Sequence, residues 1–377
     1  MIKSIINYKN PTTNKLKVSV TAVEKIRIEK SAVLKEKPPI EGIPFGKYFS
    51  DHMFLLDYDE GKGWHDPRVV PFADFQLSPA AVVLHYAQEI FEGMKAYRGP
   101  KGEVLLFRPT ENARRLNSSA ERICIPPVPE EIFMDGLKSL LELDKDWVPS
   151  APDTSLYIRP FIIATSGQLG VHASHSYLFA IITSPVGSYY PEGLAPIRIM
   201  IENSDVRAVR GGTGYVKCGG NYGASIRAGK RAEEQGFSQV LWLDGVTRRN
   251  IEEVGSMNVM FKINGRIVTP ALTGSVLPGI TRKSCIELIN SWGFEVDERE
   301  ITVDELVKAA EDGTLEEAWG TGTAAVISPI GEVSFDGISH KISGGKIGSL
   351  TQRLYDTITD IQWGKTEDKF SWSVKVC

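Results

Sequence analysis

The sequence predicts an α/β fold (α+β in its mixed order of strands and helices) divided into two domains, and three observations predict it. The chain has 377 residues, more than one hydrophobic core commonly supports. Short apolar, β-branched runs recur between stretches of helical spacing, the pattern of sheets covered by helices. Near the middle, Pro185-Val186-Gly187-Ser188-Tyr189-Tyr190-Pro191-Glu192-Gly193 breaks both patterns, as a linker does. The expected division is a lead-in over 1–44, a smaller domain over 45–185, a linker over 186–196 and a larger domain over 197–377.

Composition narrows the class. A hydrophobic share of 42% with 24% charged residues is that of a globular protein. The net charge of -4 hides an asymmetry, since residues 1–40 carry nine Lys/Arg against three Glu. Those lysines are interspersed with Glu24, Glu29 and Glu36, and no apolar core or cleavage pattern accompanies them, so we read neither a signal peptide nor a nucleic-acid arm. No apolar run is long enough to span a bilayer, and no membrane role is expected. Cys124, Cys218, Cys285 and Cys377 are scattered without a CxxC pair or a His-rich partner. That argues against a disulfide framework and against a metal site, and fits a reducing cytoplasm.

In chain order, the lead-in offers strand-like runs at 18–23 and 26–28 before Pro38-Pro39 interrupts it. Residues 54–58 and 69–72 read as strands around a turn at 59–63. His85–Gly99 is dense in aromatics, with a strand expected after Gly93; Tyr86 and Phe91 are candidates for an apolar wall with a polar tip. Residues 104–107 form a strand ended by Pro109, and a helix starts at Thr110. Of the adjacent Arg114 and Arg115 at most one faces inward, because neighbouring helical positions point about 100° apart, and an inward arginine suits a phosphate. Residues 130–143 are an amphipathic helix. Residues 156–163 form a strand whose alternation puts Tyr157 and Arg159 on one face. His172 and His175 lie in a loop with no nearby nucleophile and read as structural. Residues 177–183 are a buried strand, and Tyr189 in the linker borders whatever cleft the two domains form.

In the second half, strands are expected at 197–201, 240–243, 259–263 and 267–269. A helix is expected at 224–235, ended by Gly236, and Asn264-Gly265 signals a type I′ hairpin. Leu277-Pro278-Gly279-Ile280-Thr281-Arg282-Lys283 leads into a helix whose uncapped N–H groups make an anion site, or only a plain cap. Thr302-Val303-Asp304-Glu305 is a capping box. Gly320-Thr321-Gly322-Thr323-Ala324-Ala325 matches a dinucleotide-binding variant, but a strand-like run follows where such a site needs a helix, so a nicotinamide cofactor is discarded. A last helix is expected at 347–361.

The stretch that carries chemistry is Arg210-Gly211-Gly212-Thr213-Gly214-Tyr215-Val216-Lys217-Cys218-Gly219-Gly220-Asn221-Tyr222-Gly223. One reading is a glycine-rich turn with a solvated lysine. The other is a desolvated, nucleophilic lysine that forms a Schiff base with pyridoxal phosphate. That cofactor needs a lysine, an anion for its ring nitrogen, a donor for its phenolate oxygen and a phosphate cup. Lys217 supplies the first, Glu252 or Glu253 the second, Tyr222 the third, and Arg115 with the helix start at Gly279–Lys283 the fourth. All four in one chain favour the cofactor.

Phe91-Glu92-Gly93-Met94-Lys95-Ala96-Tyr97, Lys217-Cys218-Gly219-Gly220-Asn221-Tyr222, Glu253-Val254-Gly255-Ser256-Met257-Asn258 and Leu277-Pro278-Gly279-Ile280-Thr281-Arg282 together resemble the branched-chain amino acid aminotransferases. Those are fold-type IV pyridoxal phosphate enzymes, D-amino acid aminotransferase-like in architecture, with the cofactor in an interdomain cleft. The resemblance runs from about 45 to 364. It implies Lys217 as the Schiff-base lysine, Tyr222 as phenolate partner and Glu253 as pyridinium partner. Arg115, Ser256, Ile280, Thr281 and Thr323 would hold the phosphate, and Phe45, Tyr86, Phe91, Tyr157, Tyr189 and Ala324 would line the substrate pocket. Arg159 would recognise the distal carboxylate of glutamate. It further implies ping-pong transamination between leucine, isoleucine or valine and 2-oxoglutarate by a homodimer. Ser256 stands where many members have threonine, and Ala325 and Ser328 stand where mammalian members carry a redox CxxC pair. A D-amino acid aminotransferase or aminodeoxychorismate lyase would share the cofactor residues but not the 91–97 stretch. A non-catalytic oligomeric binding protein is the remote alternative.

Overall fold

The computed structural model describes residues 25–39, 42–187, 189 and 194–377; the strand expected at 18–23 lies outside them, as do linker positions 188 and 190–193. Among the described residues the fold rests on two nine-stranded sheets. At the centre of the first, Ser155–Ala164 pairs antiparallel with Ser176–Val186 along its whole length. Its alternation divides two environments. Leu156, Ile158, Ile162 and Ala164 enter a core shared with Leu116, Phe133 and Leu137 of the helices Pro109–Arg122 and Glu130–Leu143. Tyr157, Arg159, Phe161 and Ile163 take the opposite face, as a period of two requires.

The second sheet closes on itself. Ile251–Val254 bonds to Gln239–Leu243 on one edge and to Met257–Ile263 on the other. With Ile197–Glu202, Val326–Phe335 and Leu315–Gly322 between them, these strands complete a ring. Ile199, Ile201, Leu241, Val259 and Ile330 form one core. The helices Ile280–Ser291 and Ser349–Gln362 pack Cys285, Leu288 and Leu354 against Trp319 and Ile327 in another. The Asn264-Gly265 hairpin has positive φ at both residues, 49° and 75°, as a type I′ turn demands. Leu315–Gly322 and Val326–Phe335 form an antiparallel hairpin, so the glycine pattern at 320–325 turns between strands and enters no helix.

The structure differs from expectation in four places. The helix expected at 224–235 arrives as Gly219–Gly223 and Ile226–Glu234. At the break Ser225 Oγ donates to the Tyr222 carbonyl at 2.7 Å, while the Asn221 amide donates to Thr213 O and Val216 O at 2.8 Å each and folds the glycine segment back on itself. At the capping box, Thr302 Oγ1 accepts from Glu305 N at 3.1 Å, but the Glu305 carboxylate turns to Arg299. The polar strands Val296–Arg299 and Ile338–Lys341 had no apolar run to announce them. The expected domain boundaries are also crossed at both ends. Arg27–Ile28, placed in the lead-in, joins one edge of the first sheet. Ser373–Lys375, placed in the larger domain, returns to the other edge beside Val104–Phe107.

Candidate active site

Lys217 leaves the glycine segment just before the helix Gly219–Gly223, and its backbone is tied at both ends. Its N–H donates to Ser119 Oγ at 3.0 Å, and its carbonyl accepts from Phe91 N at 3.0 Å. Two of the neighbouring glycines are needed for close approach. A Cβ at Gly214 would meet Ser275 O and stand 2.5 Å from Ala208 Cβ, and one at Gly219 would meet the Glu89 carboxylate. Gly220 and Gly223, both in the helix, meet nothing within 4 Å and make no such approach.

The Lys217 Nζ lies 2.6 Å from Tyr222 Oη and 4.7 Å from the centroid of the Phe91 ring. Burial, joined by the Arg115 and Arg159 cations and opposed by Glu92 and Glu253, holds this amine down to about 8. A sizeable share of it is therefore neutral and nucleophilic near physiological pH. Burial pushes the Tyr222 phenol up, and Glu253 adds to that, so the hydroxyl stays protonated.

Glu253 projects from Ile251–Val254 and is buried. Its Oε1 accepts from Leu277 N at 2.7 Å and lies 3.4 Å from Arg207 Nη2. Burial raises its pKa despite the Arg207 charge and the Leu277 bond. Glu252 faces elsewhere and accepts from Ser275 Oγ. The strand's alternation thus assigns one carboxylate to the cleft.

The cleft walls bring together Arg115, Lys217, Glu253, Ser256, Ile280, Thr281 and Thr323 around one opening. Tyr222, Glu253 and Ser256 border an adjoining one. No side chain caps the helix that begins at Ile280, so its first N–H groups face the cleft with the positive end of the helix dipole behind them. Arg115 is the inward member of its pair; the side chain of Arg114 is 60% exposed and that of Arg115 10%. Its guanidinium grips the fully buried Glu92 in two bonds of 2.8 and 2.9 Å, while Nη1 donates to Pro278 O. Burial alone would raise the Glu92 pKa, but Arg115 pulls it below the usual carboxylate range.

A chain of ring contacts leads from Lys217 to the rim. Phe91 packs at 4.9 Å from Tyr222. The Arg159 guanidinium lies over Phe91 at 4.7 Å and donates to Tyr157 Oη at 3.2 Å. Phe45 meets Tyr157 edge-on at 4.8 Å. Among the described residues Arg159 Nε is buried with no hydrogen-bond partner, a free donor that suits an anionic group. The Ala324 carbonyl accepts from Lys95 Nζ at 2.7 Å, and Lys95 stands opposite Tyr157 in the first sheet. Tyr86 stands apart: it is 40% exposed, and its hydroxyl accepts from Gly170 N at 3.0 Å. Tyr189 is 50% exposed, with its flanking positions outside the described residues.

Sequence reasoning missed Arg207, Glu92 and Thr321. Glu92 was within a quoted motif, as an acid among aromatics that needs a buried partner. Arg207 carried no signal, because the groups it joins are distant in the chain.

Pyridoxal phosphate can be tested against these groups. The cleft offers an amine with a hydroxyl beside it, a buried carboxylate and an uncapped helix start, and Thr321 Oγ1 on its wall is buried without a partner among the described residues. The set matches an aldehyde, a phenolate, a ring nitrogen and a phosphate, so the residues fit. Among the described residues, no cluster of His, Cys, Asp and Glu is placed to hold a metal ion.

Comparison with known proteins agrees with the geometry. The family model of amino-transferase class IV matches residues 89–333. Branched-chain-amino-acid aminotransferase 2 of Bacillus subtilis (strain 168) is 55% identical over 351 residues, which cover 93% of this chain and 97% of that one. The crystal structure of the branched-chain amino acid aminotransferase of Escherichia coli superposes with a TM-score of 0.73 at 29% identity, covering 87% of this chain and 99% of that one. The Thermobaculum terrenum enzyme in its PLP form shares the fold at 22% identity, with a TM-score of 0.70 over 86% of this chain and 98% of its own.

Proposed function

The chain belongs to the class IV aminotransferases, and from that premise we propose that it moves an amino group reversibly between leucine, isoleucine or valine and 2-oxoglutarate, with pyridoxal phosphate as cofactor. The observation that carries the proposal is Lys217 Nζ, an amine held down to about 8 at 2.6 Å from Tyr222 Oη, on a cleft that also presents Glu253 and an uncapped helix start. The relatives' names support the substrate class.

When bound, pyridoxal phosphate supplies an electron sink for the pair left behind as the α-proton departs. Lys217 would carry its aldehyde, Tyr222 would donate to its phenolate oxygen, and Glu253 would share a proton with its ring nitrogen. Leu277 N–H and Arg207 orient Glu253 for that contact. Arg115, Ser256 and the N–H groups of Ile280, Thr281 and Thr323 would hold the phosphate, the Thr323 hydroxyl being given to Gly93 O. Because Glu92 already balances the Arg115 charge, the helix start must supply much of the attraction.

With the cofactor bound, Lys217 Nζ would be the base that takes the proton from the substrate α-carbon and holds it for return. A base with a pKa near ambient pH suits both directions of that transfer. Phe91, Tyr157 and Phe45 exclude water and favour branched apolar side chains. Arg159, with Nε unpartnered, would receive the distal carboxylate of glutamate or 2-oxoglutarate, so one pocket serves both halves of a ping-pong cycle. Tyr189 and Ala324 would complete the wall, while Tyr86, bonded to Gly170 N, stands apart from it. The proposal extends to a cytoplasmic homodimer, supported by unpaired cysteines and by a partly exposed apolar face with Phe72, Phe75 and Ile163.

Borohydride treatment of the purified protein followed by peptide mapping tests the assignment. The reduced cofactor label is expected on Lys217, with visible absorbance and leucine turnover both lost in Lys217→Ala. A label on another lysine, or wild-type turnover in the variant, overturns it.

A further inference from the structure

The chemistry above leaves one buried amine unused. Lys95 stands on Met94–Arg98 directly opposite Tyr157, and opposite residues of an antiparallel pair share a face, so it points to the cleft side of the first sheet. It is 9% exposed, and no carboxylate among the described residues pairs with it. A buried amine is costly unless it makes a hydrogen bond, and the bond it makes is to Ala324 O at 2.7 Å. Ala324 belongs to the second sheet, in the turn between Leu315–Gly322 and Val326–Phe335. A parallel bond lies beside it: Thr323 Oγ1 donates to Gly93 O at 3.1 Å. The next residues show why two ties are needed. Val326 has a φ of 60°, a left-handed conformation that a β-branched residue keeps only where its surroundings impose it.

We propose that Lys95 is a positioning residue: its bond to Ala324, together with the Thr323–Gly93 bond, clamps the strained turn at 322–326 across the cleft and fixes the pocket wall that Ala324 forms. A lysine suits the task because its long stem packs along apolar surface while its ammonium reaches a carbonyl on the other sheet. The clamp acts on where the substrate sits, and Lys217 moves the proton without it. The inference rests on the reading of Ala324 as pocket wall.

Lys95→Met keeps the length of the stem and removes the donor. In the holoenzyme we expect KM for leucine to rise roughly tenfold, the scale of one charge-assisted hydrogen bond, while kcat stays within about threefold and the cofactor absorbance is unchanged. Amide hydrogen exchange at 322–326 should quicken, and Lys95→Arg should restore KM to within about threefold of wild type. A Lys95→Met protein that loses only thermal stability, with KM and exchange as in wild type, overturns the clamp. If that variant does not fold, Lys95→Gln carries the same two readouts. Should the wild type fail to transaminate leucine, the functional reading falls, while exchange at 322–326 still decides whether Lys95 holds the turn.

Discussion

At Lys217 one amine is subject to opposing pulls. Burial and the Arg115 and Arg159 cations disfavour its charge, the Glu92 and Glu253 carboxylates favour it, and the net value is about 8 against an unperturbed 10.5. The linkage sign follows. Between pH 8 and 10.5 the unfolded chain holds a proton here that the folded chain has released, so this residue's contribution to stability rises with pH across that window. Below pH 8 the charged amine is a standing cost to the fold. The apo form of Lys217→Met is therefore expected to be more stable than wild type at pH 7, with the gap closing as pH climbs from 8 toward 10.5. Urea midpoints at several pH values measure it, and a gap independent of pH would refute the assigned cause. Lys217, Tyr222 and Glu253 were legible because each lies within a short motif of unusual composition. Arg207 was not: it binds Ser275 O and Gly214 O and faces Glu253, and only folding brings those three groups to one place.

The element that delivers Lys217 is a bent glycine segment. Gly214 touches Ser275, whose carbonyl also receives Arg207, and Arg207 in turn faces Glu253. A methyl group at 214 must displace that backbone. Gly214→Ala is thus expected to cost about 1–3 kcal/mol, the usual penalty of overpacking, and to weaken retention of the cofactor by moving Arg207 and Glu253. Gly220→Ala, with open space at its Cβ, should change stability by no more than about 0.5 kcal/mol. Equal effects at the two positions would show that the segment's glycines serve flexibility and not contact. Legibility at this scale followed burial. Val104–Phe107 and Glu130–Leu143 announced themselves by apolar runs with a definite period. Val296–Arg299 and Ser373–Lys375 are polar edge strands, defined by hydrogen bonds to a neighbour the sequence does not reveal. The short helix Gly219–Gly223 is tied to the glycine segment by three side-chain bonds of Asn221, which no helical pattern records.

Across the whole molecule, the site depends on two sheets keeping a fixed relation, and the C-terminal strand is a principal tie between them. The helix Ser349–Gln362 packs on the second sheet, yet Ser373–Lys375 pairs with the first. At that crossing Trp372 is buried against Phe107 and Phe370. Arg108 lies over its ring at 4.9 Å, and its Nε1 donates to Glu287 at 3.1 Å. Glu287 belongs to Ile280–Ser291, the helix whose N-terminus faces the cleft, so one indole links the first sheet to that helix. Removing it leaves a large cavity where the two halves meet and takes one donor from Glu287, which Arg108 still holds in two bonds. Trp372→Ala is expected to cost about 3–5 kcal/mol and, because the lost contacts are those shared by both halves, to divide the calorimetric unfolding peak in two. The separate melting of the halves, more than the drop in temperature, is the diagnostic result. A single peak moved downward would mean that the halves are coupled chiefly elsewhere, through the clamp at Lys95 and Thr323 or the pairing of Arg108 with Glu287, and that the C-terminal strand only adds stability to a unit already whole.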